Sequence, residues 1–318
     1  MLRYILRRVL QMVPVLFVIS IATFLLMHVV VGDPTLLILG QDTSATQQNV
    51  DRLRQSLGLN RPLPVQYADW LRHVVVGDLG RSMRFPVSVR AAVGQRLPVT
   101  LELTFLALGL AILISLPLGV IAALRPGSRL DVGISAVAAV TLSVPNFWLG
   151  VVLIFVFALK LHLLPSSGYV PFTKSPLGNL RLMILPTITL ATAYVGSFAR
   201  YTRSSMLEVL DEDYVRTARA KGLTSGLVLR RHALRNALLP IVTVIGLELA
   251  GLFGGAVVTE IVFSLPGVGT LLTESILGRD VSMVQGIIVL ITVAVVGVNL
   301  VADVVYGLLD PRIRGAYG

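Results

Sequence analysis

The sequence predicts an all-α membrane protein that crosses the bilayer six times. Hydrophobic residues make up 55% of its 318 residues and charged residues only 14%, too few charges to cover the surface of a soluble protein of this length. Six apolar runs are each long enough to cross a hydrocarbon core of about 30 Å. The basic residues are concentrated in the gaps between these runs, as expected for loops at a charged membrane surface.

The first predicted span, Leu10–Val31, is a run of 22 residues without a formal charge. It follows three arginines, as in a signal peptide, but it is too long for one and no A-x-A cleavage site closes it. We therefore predict that it is retained as a signal anchor. The other five predicted spans are Leu103–Leu124, Val132–Leu159, Leu182–Ala199, Ala237–Thr259 and Val281–Ala302.

The basic residues also predict the orientation of these spans. An even number of spans places both termini on one side, and the loop between the fourth and fifth spans on that same side holds eight Lys or Arg residues. The positive-inside rule makes this side cytoplasmic. The segment 32–98 is too long for that rule, and we expect it to form a small extracytoplasmic subdomain. The predicted organisation is thus a first span within 1–31, this subdomain, and a five-helix core in 99–318 with a cytoplasmic loop at 200–236.

Other classes of function fit the sequence poorly. The net charge of +10 does not indicate nucleic-acid binding, because the arginines do not line one amphipathic face; we expect membrane lipid as the anionic partner. The chain has no cysteine, its four histidines are scattered, and the H-E-x-x-H and G-x-S-x-G motifs are absent. We therefore expect no catalytic residue, metal site or cofactor in this chain.

Three polar residues near or within the apolar runs are candidates for a translocation path or gate. Glu248 lies in the middle of the fifth predicted span, where an acidic residue costs about 2.5–3.5 kcal/mol. It should line a pore or form a hydrogen bond at a subunit interface, and both alternatives stay open. Asn146 needs a partner within the bundle, and we favour a helix-to-helix bond. For Glu260, at the outer end of its span, capping a helix or pairing with Arg279 is favoured over contact with a substrate.

Small residues and prolines in the spans predict how the helices pack. Gly251 and Gly255 form a G-x-x-x-G pattern, which allows another helix to approach closely. Pro14, Pro117, Pro145 and Pro186 lie inside the apolar runs, where each removes a backbone hydrogen bond and would kink a helix. Proline is also commoner in membrane helices than in soluble ones, and this plainer interpretation is favoured for any single one of them.

The segment Asp211–Pro240 predicts two short helices in the cytoplasmic loop. Acidic residues stand at the start of the first helix and basic residues towards its end, and Gly222 suits the left-handed position just beyond it. Val215, Ala218 and Gly222 predict a shallow apolar surface between basic flanks. Such a helix is shaped to dock into a groove on a partner; the alternative is an amphipathic helix lying on anionic lipid.

The runs D-Y-V-R-T-A-R-A-K-G-L (213–223) and R-H-A-L-R-N-A-L-L-P (231–240) resemble the EAA loop of ATP-binding-cassette (ABC) importer permeases, in its dipeptide, oligopeptide and nickel version. In that family the loop is the coupling helix that inserts into the ATPase subunit. Here Ala218 and Gly222 match the signature, whereas Arg216 and Thr217 occupy its first two positions. The resemblance implies coupling to the ATPase for Val215, Arg216, Ala218, Arg219, Lys221, Gly222 and Leu223.

Further motifs in the same order resemble the B-type permease subunit of that family. They include R-Y-I-L-R-R (3–8), G-D-P (32–34), G-D-L-G-R-S (77–82), P-V-T-L-E-L-T (98–104), E-I-V-F-S-L-P-G-V-G (260–269), G-R-D (278–280), N-L-V-A-D-V-V-Y (299–306) and D-P-R (310–312). The resemblance implies a type I ABC-importer permease fold in a bacterial inner membrane. It also implies a heterodimer with a homologous second permease subunit, two ATPase subunits that bind ATP and magnesium, and an extracytoplasmic solute-binding protein.

The expected function is that of a permease subunit that moves dipeptides or oligopeptides from a solute-binding protein into the cytoplasm. An importer of nickel or another small solute remains an alternative. An ion-coupled secondary carrier fits less well, because such carriers ordinarily show an internal repeat with paired broken helices, and no such repeat is visible in this sequence.

Overall fold

The computed structural model describes residues 2–31, 47–56 and 58–309, and within them the chain is helical. The helices are α1 (Leu2–Val31), α2 (Gln47–Ser56), α3 (Leu63–Val75), α4 (Val89–Leu124), α5 (Arg129–Ser143), α6 (Asn146–Leu153), α7 (Pro176–Asp211), α8 (Asp213–Ala220), α9 (Ser225–Leu227), α10 (Leu234–Val262), α11 (Val268–Leu277) and α12 (Val281–Leu309). Two π-helical segments, Ile154–Lys160 and Val228–Ala233, continue α6 and α9. Among the described residues, an isolated bridge between Arg81 and Ser88 is the one β-type pairing.

Five helices are long and apolar enough to cross a membrane. These stretches are Leu6–Leu25, Val89–Leu124, Pro176–Asp211, Pro240–Val262 and Val281–Ala302, and they match five of the six predicted spans. The all-α polytopic membrane fold is thereby confirmed. The motifs at 32–34 and 310–312 lie outside the described residues.

The third predicted span, Val132–Leu159, is not a continuous helix. Helix α5 and the helix formed by α6 with its π-helical extension are bent by 99° at the break between them. Pro145 has no backbone N–H to donate, and it forces Val144 into an extended conformation at φ −82° and ψ 123°. The helix breaks at Pro145, although the plainer interpretation of a membrane-helix proline is favoured for each of the four, whereas Pro14 and Pro186 lie inside continuous helices. The count of six spans holds only where this bent pair is taken as one span.

The first of two compact units comprises residues 1–5, 99–267 and 297–318. Helix α7 is the most buried spanning helix of this unit, because 67% of an apolar 18-residue stretch of it is buried inside the protein. It packs against α5, α6 and α10. Small residues allow these close approaches: a Cβ atom at Gly119 of α4 would lie 2.5 Å from the Thr202 Cβ of α7. Close contact between small residues is a principal means of helix association in lipid.

The second compact unit comprises the described residues among 6–98 together with residues 268–296. Tyr67 of α3 hydrogen-bonds Ser20 of α1 at 2.7 Å, and its ring packs edge-on against Phe24. The G-D-L-G-R-S motif (77–82) and the G-R-D motif (278–280) meet in this unit, because the Ser82 hydroxyl donates to the carboxylate of Asp280. Asp280 also accepts from the backbone N–H of Met283 at 3.1 Å and so caps the start of α12.

Candidate functional site

The predicted coupling loop is attached directly to the end of a spanning helix. Helix α7 is 36 residues long, about 54 Å at 1.5 Å per residue, so it extends well beyond a hydrocarbon core. One extended residue, Glu212, separates its end at Asp211 from the start of α8 at Asp213. Helix α8 is therefore joined to α7 by a single residue.

Gly222 ends α8 in the conformation that the sequence predicts. Its φ angle is +80°, the left-handed region that glycine adopts without steric cost. A Cβ atom at this position would meet nothing within 4 Å. Backbone conformation, rather than crowding within the chain, therefore requires glycine here.

The predicted docking surface is wrong for Val215 and Ala218. Both residues are buried within the chain, with exposed fractions of 0% and 6%, and they pack against Val228 with Leu210 and Leu223 around them. Their spacing of three places them on one apolar face of α8. The π-helical segment that continues α9 begins at Val228 and covers that face, so Val215 and Ala218 hold α8 against this segment.

The exposed face of α8 is instead polar and basic. Arg216 forms an ion pair with Asp211 at 2.5 Å and approaches Asp213 at 3.8 Å, and the hydrogen bond to Asp211 raises the pKa of Arg216. Arg219 and Lys221 are exposed, and among the described residues neither forms a salt bridge. The loop thus presents two uncompensated cations beside Gly222.

A second feature of the loop, the π-helical segment Val228–Ala233, was not foreseen from the sequence. Its wider turn carries Arg230 and Arg231, which are exposed, while Val228 and Ala233 are buried. Single π-helical turns occur often at functional sites. Their sequence signal is weak, because the apolar spacing differs only slightly from that of an α-helix.

Glu248 lies in a polar cluster between α10 and α7. Its Oε1 accepts a hydrogen bond of 3.3 Å from the Ser197 hydroxyl. Its Oε2 lies 3.7 Å from the position that a Cβ atom would take if Gly251 carried a side chain. The Tyr194 hydroxyl lies 3.2 Å from that same place. Sequence reasoning missed Tyr194, because a tyrosine within an apolar run gives no pattern of its own.

Asn146 borders the same cluster. It begins α6 just after the break at Pro145, and its Nδ2 lies 3.9 Å from the place of a Cβ atom on Gly255. A Cβ atom on Gly255 would also lie 2.9 Å from the Leu190 Cδ1 atom of α7, which confirms close helix packing at this half of the G-x-x-x-G pattern. On α10, Leu247 is 73% exposed and Gly251 is also exposed, so the chain itself leaves the face beside Glu248 open.

Glu260 has a different environment from Glu248. It follows Glu248 by 12 residues on α10, about 18 Å along the helix, and its side chain is fully buried. The Thr100 hydroxyl donates to Glu260 Oε1 at 2.6 Å, and the carboxyl group packs directly against Gly267. These contacts fix the carboxyl group against Thr100 and the turn at Gly267, and they place the side chain away from any open surface.

The loop that precedes α7 is held against α4 at Glu102. The Tyr169 hydroxyl donates to Glu102 at 2.7 Å, and burial together with this carboxylate raises the pKa of Tyr169 to about 12. Over the described ranges, no three side chains of His, Asp or Glu are grouped so that they could hold a metal ion.

Two family models match almost the entire chain. Residues 115–315 match the binding-protein-dependent transport system inner membrane component, and residues 1–104 match the N-terminal region of the membrane component of such systems. The two matches together cover both compact units.

Proteins from several bacteria are similar to this chain over nearly its full length. A putative peptide transport system permease protein of Brucella abortus is 45% identical over 98% of both chains. The oligopeptide transport system permease protein AppB of Bacillus subtilis is 41% identical over 99% of this chain and 100% of its own. The di/tripeptide transport system permease protein DppB of Pseudomonas aeruginosa is 41% identical over 99% of both chains.

Solved structures share the fold at lower sequence identity. The MetNI methionine ABC transporter, in inward facing conformations, contains a chain with a TM-score of 0.57 and 21% identity, covering 69% of this chain and 96% of that one. A chain of an amino acid ABC transporter has a TM-score of 0.51 and 16% identity, covering 70% and 94%. The type I ABC-importer permease fold is thereby confirmed.

Proposed function

Because this chain belongs to the family of inner membrane components of binding-protein-dependent transport systems, we propose that it is the permease subunit of an ABC importer for peptides. The observation that carries the proposal is the joint between α7 and α8. A buried spanning helix ends one residue before a short helix with an exposed basic face, as a mechanical link to a motor subunit requires. The similar proteins that are named as peptide permeases support peptides as the cargo over nickel or another small solute.

The proposed partners are two ATPase subunits, a homologous second permease subunit and an extracytoplasmic solute-binding protein. ATP and magnesium bind to the ATPase subunits, and this chain supplies no catalytic group. The exposed face of α8, with Arg219, Lys221 and Gly222, docks into a groove on one ATPase subunit. Val215, Ala218 and Leu223 support that face from beneath, since they pack against Val228.

The proposed orientation places both termini and the α8–α9 loop in the cytoplasm and residues 32–98 outside. It is supported by the eight Lys and Arg residues between 200 and 236 and the positive-inside rule. ATP binding closes the ATPase subunits, α8 moves with them, and α7 carries the movement into the membrane.

The proposed contact with the cargo is the cluster around Glu248. Its carboxyl group, the Tyr194 hydroxyl and the Asn146 amide lie around Gly251 and Gly255 of α10, and the adjoining α10 face is exposed in the single chain. A carboxyl group there suits the amino group of a peptide. Glu260 is assigned a supporting role at the end of α10.

The docking proposal is tested by co-purification of the ATPase subunits with the permease pair. Each exposed charge pair contributes under about 1 kcal/mol, so both cations are reversed together, as Arg219→Glu with Lys221→Glu. We expect loss of the ATPase subunits and of peptide uptake. The matched control, Lys174→Glu with Arg181→Glu, reverses two charges outside the coupling loop and should retain the ATPase subunits and peptide uptake. If both double variants retain the ATPase subunits equally, docking through α8 is refuted.

A further inference from the structure

A buried ion pair joins α5 to α7 close to the coupling loop. Arg203 of α7 donates from Nε to Asp131 Oδ1 at 2.5 Å and from Nη2 to Oδ2 at 2.8 Å. The Asp131 side chain is only 4% exposed, whereas that of Arg203 is 32% exposed. Two parallel hydrogen bonds from one guanidinium fix the mutual orientation of both side chains, which a lysine cannot do.

Asp131 is in turn fixed to its own end of α5. Its Oδ2 accepts from the backbone N–H of Gly127 at 2.9 Å, and the hydroxyl of Ser128 caps the helix by accepting from the backbone N–H of Asp131 at 3.2 Å. The carboxylate thus ties together the loop before α5, the first turn of α5, and α7. Movement of Arg203 is therefore transferred to the start of α5 as a unit.

Clefts flank the contact between α5 and α7. Two cavities of about 270 and 210 Å³ lie along it, lined by residues of both helices. Between them the helices touch where Gly196 of α7 meets Ala138 and Thr141 of α5. The crossing at Gly196 and the Asp131–Arg203 ion pair are thus two separate points at which α5 is held against α7.

The linkage between Asp131 and Arg203 has the coupling loop at one end and the break at Pro145 at the other. Arg203 precedes the end of α7 by eight residues, and α8 starts two residues after that end. Helix α5 leads to the break at Pro145, beyond which Asn146 begins α6 beside Gly255. The chain of contacts therefore runs from the coupling loop through α7 and Asp131 to the cluster around Glu248.

We infer that Asp131 and Arg203 form a positioning pair that transmits movement of the coupling loop to the bent third span, and so couples ATP hydrolysis to opening of the translocation path. The pair touches neither cargo nor ATPase. The inference rests on the proposed docking of α8. The bent span is the element that the pair moves, because Asp131 lies in the first turn of α5 and the same span continues after the break with Asn146 beside Gly255.

The test uses the complete transporter in proteoliposomes, with peptide uptake, ATP hydrolysis and ATPase co-purification measured on the same preparation. For Asp131→Asn we expect bound ATPase subunits, ATP hydrolysis within twofold of the wild type, and at least tenfold fewer peptides taken up per ATP. Arg203→Lys keeps the charge but loses the paired hydrogen bonds, and should fall between the wild type and Arg203→Met. Ser135→Ala, which removes only a 3.5 Å contact with Asp131, is the matched control and should transport normally.

The outcomes separate this inference from the docking proposal. Uptake per ATP at the wild-type ratio in both Asp131→Asn and Arg203→Lys would overturn the inference, even if α8 docks as proposed. Loss of ATPase co-purification in these variants would also overturn it, because the pair would then be required for docking itself. Conversely, if the Arg219 and Lys221 double variant retains the ATPase subunits, the docking proposal is rejected, whatever number of peptides is taken up per ATP.

Discussion

Gly222 is the residue whose conformation and position are best defined by both sequence and structure. At φ +80° a residue with a Cβ atom is strained by about 1–2 kcal/mol, and on the docking face its bulk would also block a partner. We expect Gly222→Trp to lose ATPase binding and peptide uptake while the spans still insert.

The control for this substitution must separate strain from docking. Gly77 has a φ of +83° and open space around it, so Gly77→Trp introduces comparable strain and bulk in a different loop. It should keep ATPase binding. Gly222→Ala should give an intermediate loss, and wild-type uptake with Gly222→Trp would show that this loop is not the coupling element.

Glu248 is the residue that bears most directly on the cargo. Glu248→Gln keeps the shape and the possible hydrogen bond from Ser197 but removes the negative charge. Hydrogen bonds to charged groups are worth about 1.5–3 kcal/mol, so we expect peptide uptake to require at least about tenfold more peptide for half-maximal rate. Uptake in proteoliposomes across a range of dipeptide concentrations measures this effect.

A failure of Glu248→Gln to co-purify with the second permease subunit would assign the residue to the subunit interface instead of the path. Ser197→Ala removes the other partner of the 3.3 Å hydrogen bond without changing charge. It should leave the concentration dependence of uptake close to that of the wild type.

At the scale of elements, the crossing of α5 and α7 depends on Gly196. A Cβ atom there would collide with the Ala138 carbonyl oxygen at 2.6 Å and with the Thr141 side chain, and overpacking of this kind costs about 1–3 kcal/mol. We expect Gly196→Leu to lower the thermal unfolding midpoint of the purified permease by about 2–12 °C. Gly133→Leu, placed on α5 where a Cβ atom meets nothing within 4 Å, should shift it much less, and equal shifts would show that the crossing is not tightly packed.

At the scale of the whole molecule, the orientation in the membrane sets which partner reaches which surface. The chain has no cysteine, so single-cysteine variants can be labelled without a background. We expect a membrane-impermeant maleimide added outside intact cells to label Gln48→Cys and not Ser225→Cys. Both residues are exposed; after membrane disruption both should react. The reverse pattern in intact cells would invert the topology and place α8 away from any cytoplasmic ATPase.

The sequence by itself determined the membrane class, five spans, the glycine at the end of α8 and the short helices of the coupling loop. These features depend on local chemistry: apolar length, prolines, capping charges and the conformational freedom of glycine. Only the tertiary structure decided which face of α8 is exposed, because a neighbouring helix at Val228 covers Val215 and Ala218. It also decided that Asp131 meets Arg203, 72 residues away, and that Tyr194 joins Glu248. Such pairings depend on how helices distant in sequence pack together, and no local pattern records that packing.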